Sequence, residues 1–259
     1  MSMSRKLKLI VAYDGTDFHG WQHQPGLRSV QQELTQVIAR VLRHPLDLTG
    51  ASRTDSGVHA RGQTAHLLTE ALIPVEKLQH ALRDRLPPDL TIVHVAEVPR
   101  EFHATRDAYG KLYRYTIFNA RHRPIDQQAG RYCWHVWHPL DIERMQAAAE
   151  YLIGSHDFTA FANKGNPRQS PIRTINHISV QRRARQVVIE VEGDGFLYNQ
   201  VRIIVGTLYE VGRGHWAPER VAEILAARDR AQAGMTAPPQ GLSLEWVRYG
   251  PYRRAADGA

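Results

Sequence analysis

Lys6-Leu-Lys-Leu-Ile-Val-Ala-Tyr13, followed by Asp14-Gly15, decides the architecture. Leu7, Leu9, Val11 and Tyr13 recur at every second position, the period of a strand with one covered face, and Asp14-Gly15 supplies the turn that stops it. Working outward, the period changes. Ser29-Val-Gln-Gln32 has the form of a capping box, and Val30, Leu34, Val37, Ile38, Val41 and Leu42 fall at helical spacing. Strands are predicted near Leu46 to Ala51 and over Gln63 to Leu68, a helix behind Pro74, and a strand over Thr91 to Val98. The first half therefore reads β-α-β-β-α-β.

The second half reads similarly. A strand runs from Lys111 through Tyr113, Tyr115 and Ile117, a helix covers Asp141 to Ile153 and stops at Gly154, and strands over Thr174 to Val180 and Gln186 to Val191 meet at a basic hairpin. Gly193-Asp-Gly195 is expected to open a long helix whose apolar face is Leu197, Val201, Ile204, Val205, Leu208 and Val211, ended by Gly212 and Gly214. A short helix begins at Pro218, a Pro/Gly-rich loop covers Gly234 to Gly241, and Leu242 to Tyr249 is a last strand. The expected fold class is α+β. It comprises two similar domains, 1–104 and 105–259, each an antiparallel sheet with helices on one face, with an active-site cleft between them.

Size and charge narrow the function. The 259 residues are 42% hydrophobic, ample for sizeable cores, and carry one cysteine, Cys133, so an internal disulfide framework is ruled out. No run approaches a membrane span, and the first residues enter a strand pattern without a signal-peptide core, so a soluble cytoplasmic protein is expected. Formal net charge is +7. Residues 1–104 contribute +1 and residues 105–259 contribute +6. The excess lies in Arg121/Arg123, Lys164/Arg168/Arg173, Arg182/Arg183/Arg185 and Arg253/Arg254. Each cluster alone is an ordinary solvated face; together they favour a phosphate-bearing partner.

The chemistry concentrates in Gly50-Ala-Ser-Arg-Thr-Asp-Ser-Gly-Val-His-Ala60, which places Asp55 between Arg53 and a glycine turn, in a loop between two apolar runs. A bare Asp-Ser-Gly is common in turns, but Arg53 and His59 add charge on both sides. Arg202 sits in the long helix between Val201 and Ile203, as a half-buried guanidinium that needs a carboxylate; paired with Asp55, it would keep that carboxylate ionised and oriented. Tyr113 and Tyr115 share one strand face, either as core tyrosines or as planes for a nucleobase. Tyr13-Asp-Gly-Thr-Asp-Phe-His-Gly-Trp-Gln22 is either an aromatic wall against RNA or a plug at the sheet end. Cys133, His135 and His138 fit no zinc spacing, and no Walker loop, dinucleotide fingerprint or Gly-x-Ser-x-Gly occurs.

Five ordered motifs converge on a family. The Tyr13 to Gln22 and Gly50 to Ala60 segments, Lys111-Leu-Tyr-Arg-Tyr115, Gly195-Phe-Leu-Tyr-Asn-Gln-Val-Arg-Ile-Ile-Val-Gly206 and Ala237-Pro-Pro-Gln-Gly-Leu-Ser-Leu244 resemble the tRNA pseudouridine synthase A (TruA) family across nearly the whole chain. One departure is Gln200, where methionine is expected; it touches packing more than chemistry. The resemblance implies isomerisation of uridine to pseudouridine at positions 38 to 40 of the tRNA anticodon stem-loop, without metal or cofactor, by a homodimer that binds tRNA across both subunits. It assigns Asp55 as the catalytic nucleophile, Arg202 as its partner, Arg53 as a residue that helps hold the everted base and Tyr113 as the substrate-stacking tyrosine. Tyr115 is expected beside it in substrate binding, and Lys164 and Arg168 at RNA phosphates. Asp55 fits three roles: attack on C1', attack on C6 of the uracil, or removal of a proton.

Two rivals are weighed against this reading. Thr54-Asp55-Ser56-Gly57 resembles the aspartic protease triplet, but that chemistry needs two such aspartates and the chain has no second copy, so only a dimer would supply it. A non-catalytic RNA-binding protein on the same sheets leaves Asp55, Arg202 and Tyr113 without a joint role.

Overall fold

A computed structural model describes residues 4–126, 130–163 and 170–250. The chain divides into two compact units, the first Met1–Tyr109 with Leu244–Ala259, the second Gly110–Ser243. The division falls five residues beyond the expected boundary at 104/105, and the end of the chain from Leu244 groups with the first unit. The fold is mixed α+β, and its described strand pairings are antiparallel except for one.

In the first unit, β1 (Arg5–Tyr13), β3 (His59–Thr69), β4 (Leu90–Val98) and β10 (Leu242–Tyr249) lie in the order β4-β1-β3-β10. Leu7, Leu9, Val11 and Tyr13 are buried, as the alternation of β1 demands. Helix α1 (Val30–Leu42) starts at Ser29, whose Oγ accepts the Gln32 N–H at 3.4 Å, buries Val30, Leu34, Val37, Ile38 and Leu42, and ends on Arg43 in the left-handed region. Helix α2 (Val75–Arg83) follows Pro74. The strand expected over Leu46 to Ala51 shrinks to β2 (Thr49–Gly50), two residues on β3. The carbonyl of Leu48 goes instead to the Gln31 side-chain amide at 2.8 Å, so α1 takes a group that a longer strand would have used.

The second unit holds β5 (Ala108–Asn119), which begins at its edge, then β6 (Trp134–Val136), α3 (Ile142–Glu150), β7 (Gly154–Asp157), β8 (Ile172–Arg183), β9 (Gln186–Gly193), α4 (Gln200–Gly212) and α5 (Arg220–Ala227). Its strands follow the order β5-β9-β8-β7, with β6 parallel on β5. Ala184, at φ 54°, turns the tight β8–β9 hairpin. Helices α3 and α4 approach closely at Gly212, where a Cβ would stand 2.6 Å from Met145 Sδ.

Helix α4 begins at Gln200, five residues later than Gly195 suggests. Gly193 serves the sheet rather than the helix: it ends β9, and a Cβ there would meet the Thr174 carbonyl at 2.6 Å. The expected face is buried from Val201 onward, and so is nearly the whole circumference of the helix.

Candidate active site

Asp55 is half-buried on the loop between β2 and β3. Its carbonyl accepts the Val58 N–H at 3.2 Å, closing a turn through Ser56 and Gly57, and Gly57 takes φ 78°, a value that favours glycine. The segment Tyr13 to Gln22 clamps this turn. The Phe18 carbonyl accepts from Gly57 N and Ser56 Oγ, both at 3.3 Å; the Trp21 N–H donates to the Thr54 carbonyl at 3.1 Å; the Tyr13 and Thr54 hydroxyls meet at 2.8 Å; and the Gly15 N–H donates to His59 Nδ1 at 2.9 Å. A Cβ on Gly15 would fall 2.0 Å from the Val58 carbonyl oxygen, and one on Gly20 2.6 Å from that of Thr54, so two glycines let two backbones touch.

That contact explains why the two motifs occur together. It also bears on the readings of the first one: Tyr13 packs against both Phe18 and Trp21, ring centres 6.4 Å apart in each pair, and all three rings are buried, which favours a plug under the Asp55 loop over a wall against RNA. Gln63 Nε2 donates to the Ser52 carbonyl at 2.6 Å and ties down the loop's entry. Arg53, on the same loop, is exposed.

The second unit carries Arg202, Tyr113 and Tyr115. Arg202, half-buried in the first turn of α4, donates from Nε to the Ala237 carbonyl at 2.7 Å and from Nη1 to Asn199 Oδ1 at 3.0 Å. The Ala237 N–H returns a bond to the Arg202 carbonyl at 3.1 Å. Both sides of Ala237 are therefore spent on one arginine. The segment lies flat on α4 because a Cβ at Gly206 would meet the Met235 carbonyl oxygen at 1.8 Å.

Tyr113 is 5% exposed and meets Phe196 edge-on, ring centres 5.2 Å apart. The expectation that Tyr115 binds substrate is corrected. It has no exposed surface, its hydroxyl donates to the Pro238 carbonyl at 2.8 Å, and Gly241 rests against its ring, where a Cβ would stand 2.5 Å away. Burial pushes its phenol pKa up, so it stays a neutral donor that supports the Ala237-Pro238 segment. Lys164 and Arg168 lie outside the described residues.

Several contributors were not assigned from sequence. Lys111 shares the strand face of Tyr113, and burial, reinforced by Arg173 and opposed by Asp194, pushes its amine down to about 8. The Ala237 carbonyl was hidden because a main-chain acceptor has no sequence letter, although Pro238 and Pro239 after it signal a fixed backbone. Gln200 is 1% exposed: its Oε1 accepts the Leu197 N–H at 2.8 Å, while its Nε2 finds no partner among the described residues. Among the described residues, no three His, Cys, Asp or Glu side chains gather as a metal site, and no helix is long and apolar enough to cross a membrane.

A family model described as tRNA pseudouridine synthase matches residues 9–106 and 148–250. The chain belongs to the tRNA pseudouridine synthase family. Proteins named tRNA pseudouridine synthase A from Thermoanaerobacter sp. (strain X514), Acetivibrio thermocellus and Brevibacillus brevis are each 45% identical to it, over 245, 252 and 246 residues; in each case the match takes in 95% of this chain and all of the relative. Within this tRNA pseudouridine synthase family member, the first matched stretch contains the Asp55 loop and the second contains Arg202 and Ala237, while Lys111, Tyr113 and Tyr115 fall between the two.

Proposed function

We propose that this tRNA pseudouridine synthase family member converts uridine to pseudouridine at positions 38 to 40 of the tRNA anticodon stem-loop, with Asp55 as the catalytic carboxylate. The observation that carries the reading is a half-buried carboxylate on a loop clamped through Gly15 and Gly20, in a chain 45% identical over 95% of its length to proteins named tRNA pseudouridine synthase A. The C1'–N1 bond breaks, the uracil turns, and C5 bonds to C1'; N1 gains a proton and C5 gives one up. Atoms and electrons balance without an oxidant or reductant, so one carboxylate suffices as nucleophile or base.

Arg202 keeps Asp55 ionised and aimed, Arg53 holds the everted base, and Tyr113 stacks on it. Extruding the uridine costs a few kcal/mol, and a ring stack returns about 1–3 kcal/mol. Lys164, Arg168 and the exposed arginines of the second unit supply the phosphate contacts that offset the rest. The working form is a cytoplasmic homodimer.

The test is to incubate purified protein with unmodified tRNA transcripts and map the pseudouridines. Product confined to positions 38 to 40 is expected. Product only elsewhere, or none, contradicts the assignment.

A further inference from the structure

We propose that Asn199 is a positioning residue that sets the orientation of the Arg202 guanidinium; the inference rests on the reading of Arg202 as part of the active site. Asparagine at a helix start ordinarily takes an extended backbone and gives its side-chain oxygen to an N–H two or three residues on. Helices α1 and α3 follow that rule: Ser29, at φ −126°, accepts from the Gln32 N–H, and Asp141, at φ −85°, from the Arg144 N–H. Asn199 does not. It takes φ 62° and ψ 7°, and its side chain makes no cap bond. Its carbonyl still accepts the Ile203 N–H at 3.0 Å, so it remains the first residue of the helix by its backbone.

What the left-handed backbone gains is the contact of Asn199 Oδ1 with Arg202 Nη1 at 3.0 Å. Helix capping is given up for it. Among the described non-glycine residues with positive φ, Arg43 and Arg228 close helices and Ala184 turns a hairpin, whereas Asn199 alone opens a helix. Asparagine tolerates this region better than most residues, and such conformations gather at functional sites. The turn before it is pinned on both sides, by Gln200 Oε1 to the Leu197 N–H and by the Asn163 N–H to the Tyr198 carbonyl at 3.2 Å. With Nε held by the Ala237 carbonyl and Nη1 by Asn199, the plane of the guanidinium is fixed by two independent segments.

The test separates backbone from acceptor. Asn199→Gly keeps the left-handed backbone and removes the oxygen; Asn199→Asp keeps both; Asn199→Ala removes the oxygen and strains the backbone. Tritium release from C5-labelled uracil in tRNA gives kcat, and filter binding gives the tRNA Kd. We expect Asn199→Gly to lower kcat about 10- to 100-fold with Kd within about 2-fold of wild type, and Asn199→Asp to recover most of that loss. Wild-type kcat in Asn199→Gly beside a damaged Asn199→Ala would reduce the residue to a backbone role and overturn the proposal. So would a Kd defect with kcat intact, or no recovery in Asn199→Asp. If wild type itself releases no tritium, or Asp55→Asn releases it at the wild-type rate, the functional reading has failed instead, and the two failures are distinguishable.

Discussion

Arg202 is gripped by two neutral acceptors: one nitrogen donates to a main-chain carbonyl and another to an amide oxygen. A lysine ammonium is a point charge on a flexible stem and reproduces neither the fork nor its plane. Arg202→Lys is therefore expected to lower kcat about 10- to 100-fold while tRNA affinity changes little, measured by tritium release and filter binding; wild-type turnover would refute the proposed role. Lys111 offers a separate residue-level test. Its amine ordinarily titrates at 10.5 and is pushed down to about 8 in the folded chain, so between those values the unfolded chain holds more protons than the folded one. Stability is lower by this contribution below pH 8 and rises as pH climbs toward 10.5. Urea midpoints across pH 7.5 to 10.5 should rise less, or fall more, in Lys111→Met than in wild type, and parallel curves would contradict the shift.

At the scale of elements, what was legible and what was not have one cause. Period-two alternation in Leu7 to Tyr13 and the helical stripe from Val30 to Leu42 are local signals, and β1 and α1 follow them closely. Depth is not a local signal. Tyr113 and Tyr115 share a face, yet Tyr115 is sealed by Gly241, on a segment more than a hundred residues away. Likewise Gly193 and Gly195 resemble a helix opening, while the true start waits for a left-handed Asn199 that no propensity announces. The Gly15 and Gly20 contacts with the Asp55 loop were visible only as unexplained glycines in a motif. Gly206 tests the same principle in α4. A methyl there would collide with the Met235 carbonyl, so Gly206→Ala should destabilise the protein by about 1–3 kcal/mol and lower kcat as the segment carrying Ala237 lifts. Unchanged urea midpoint and activity would show that the close approach is not maintained.

At the scale of the whole molecule, the +7 charge is concentrated beyond residue 104. The β8–β9 hairpin shows that its arginines are not equivalent. Arg182 donates to Asn119 Oδ1 at 3.2 Å and to the Leu140 carbonyl at 3.0 Å, so its removal costs structure, whereas Arg183 and Arg185 stand exposed at the tip. For each of these two that meets an RNA phosphate, alanine replacement should reduce the log-log salt slope of tRNA binding by about 0.7 to 0.9 and weaken all tRNAs alike. A slope equal to wild type would make the hairpin tip an ordinary solvated face and leave RNA binding to the other basic clusters.

The central claim is that the Asp55 carboxylate performs uridine isomerisation, and tritium release from tRNA carrying C5-labelled uracil tests it most directly, because the C5 hydrogen leaves only when carbon replaces nitrogen at C1'. The wild type should release tritium in step with pseudouridine formed, while Asp55→Asn, which keeps the shape of the side chain but loses its charge and basicity, should bind tRNA within a few-fold of wild type and release none above background. Release by Asp55→Asn at a rate near wild type would contradict the account.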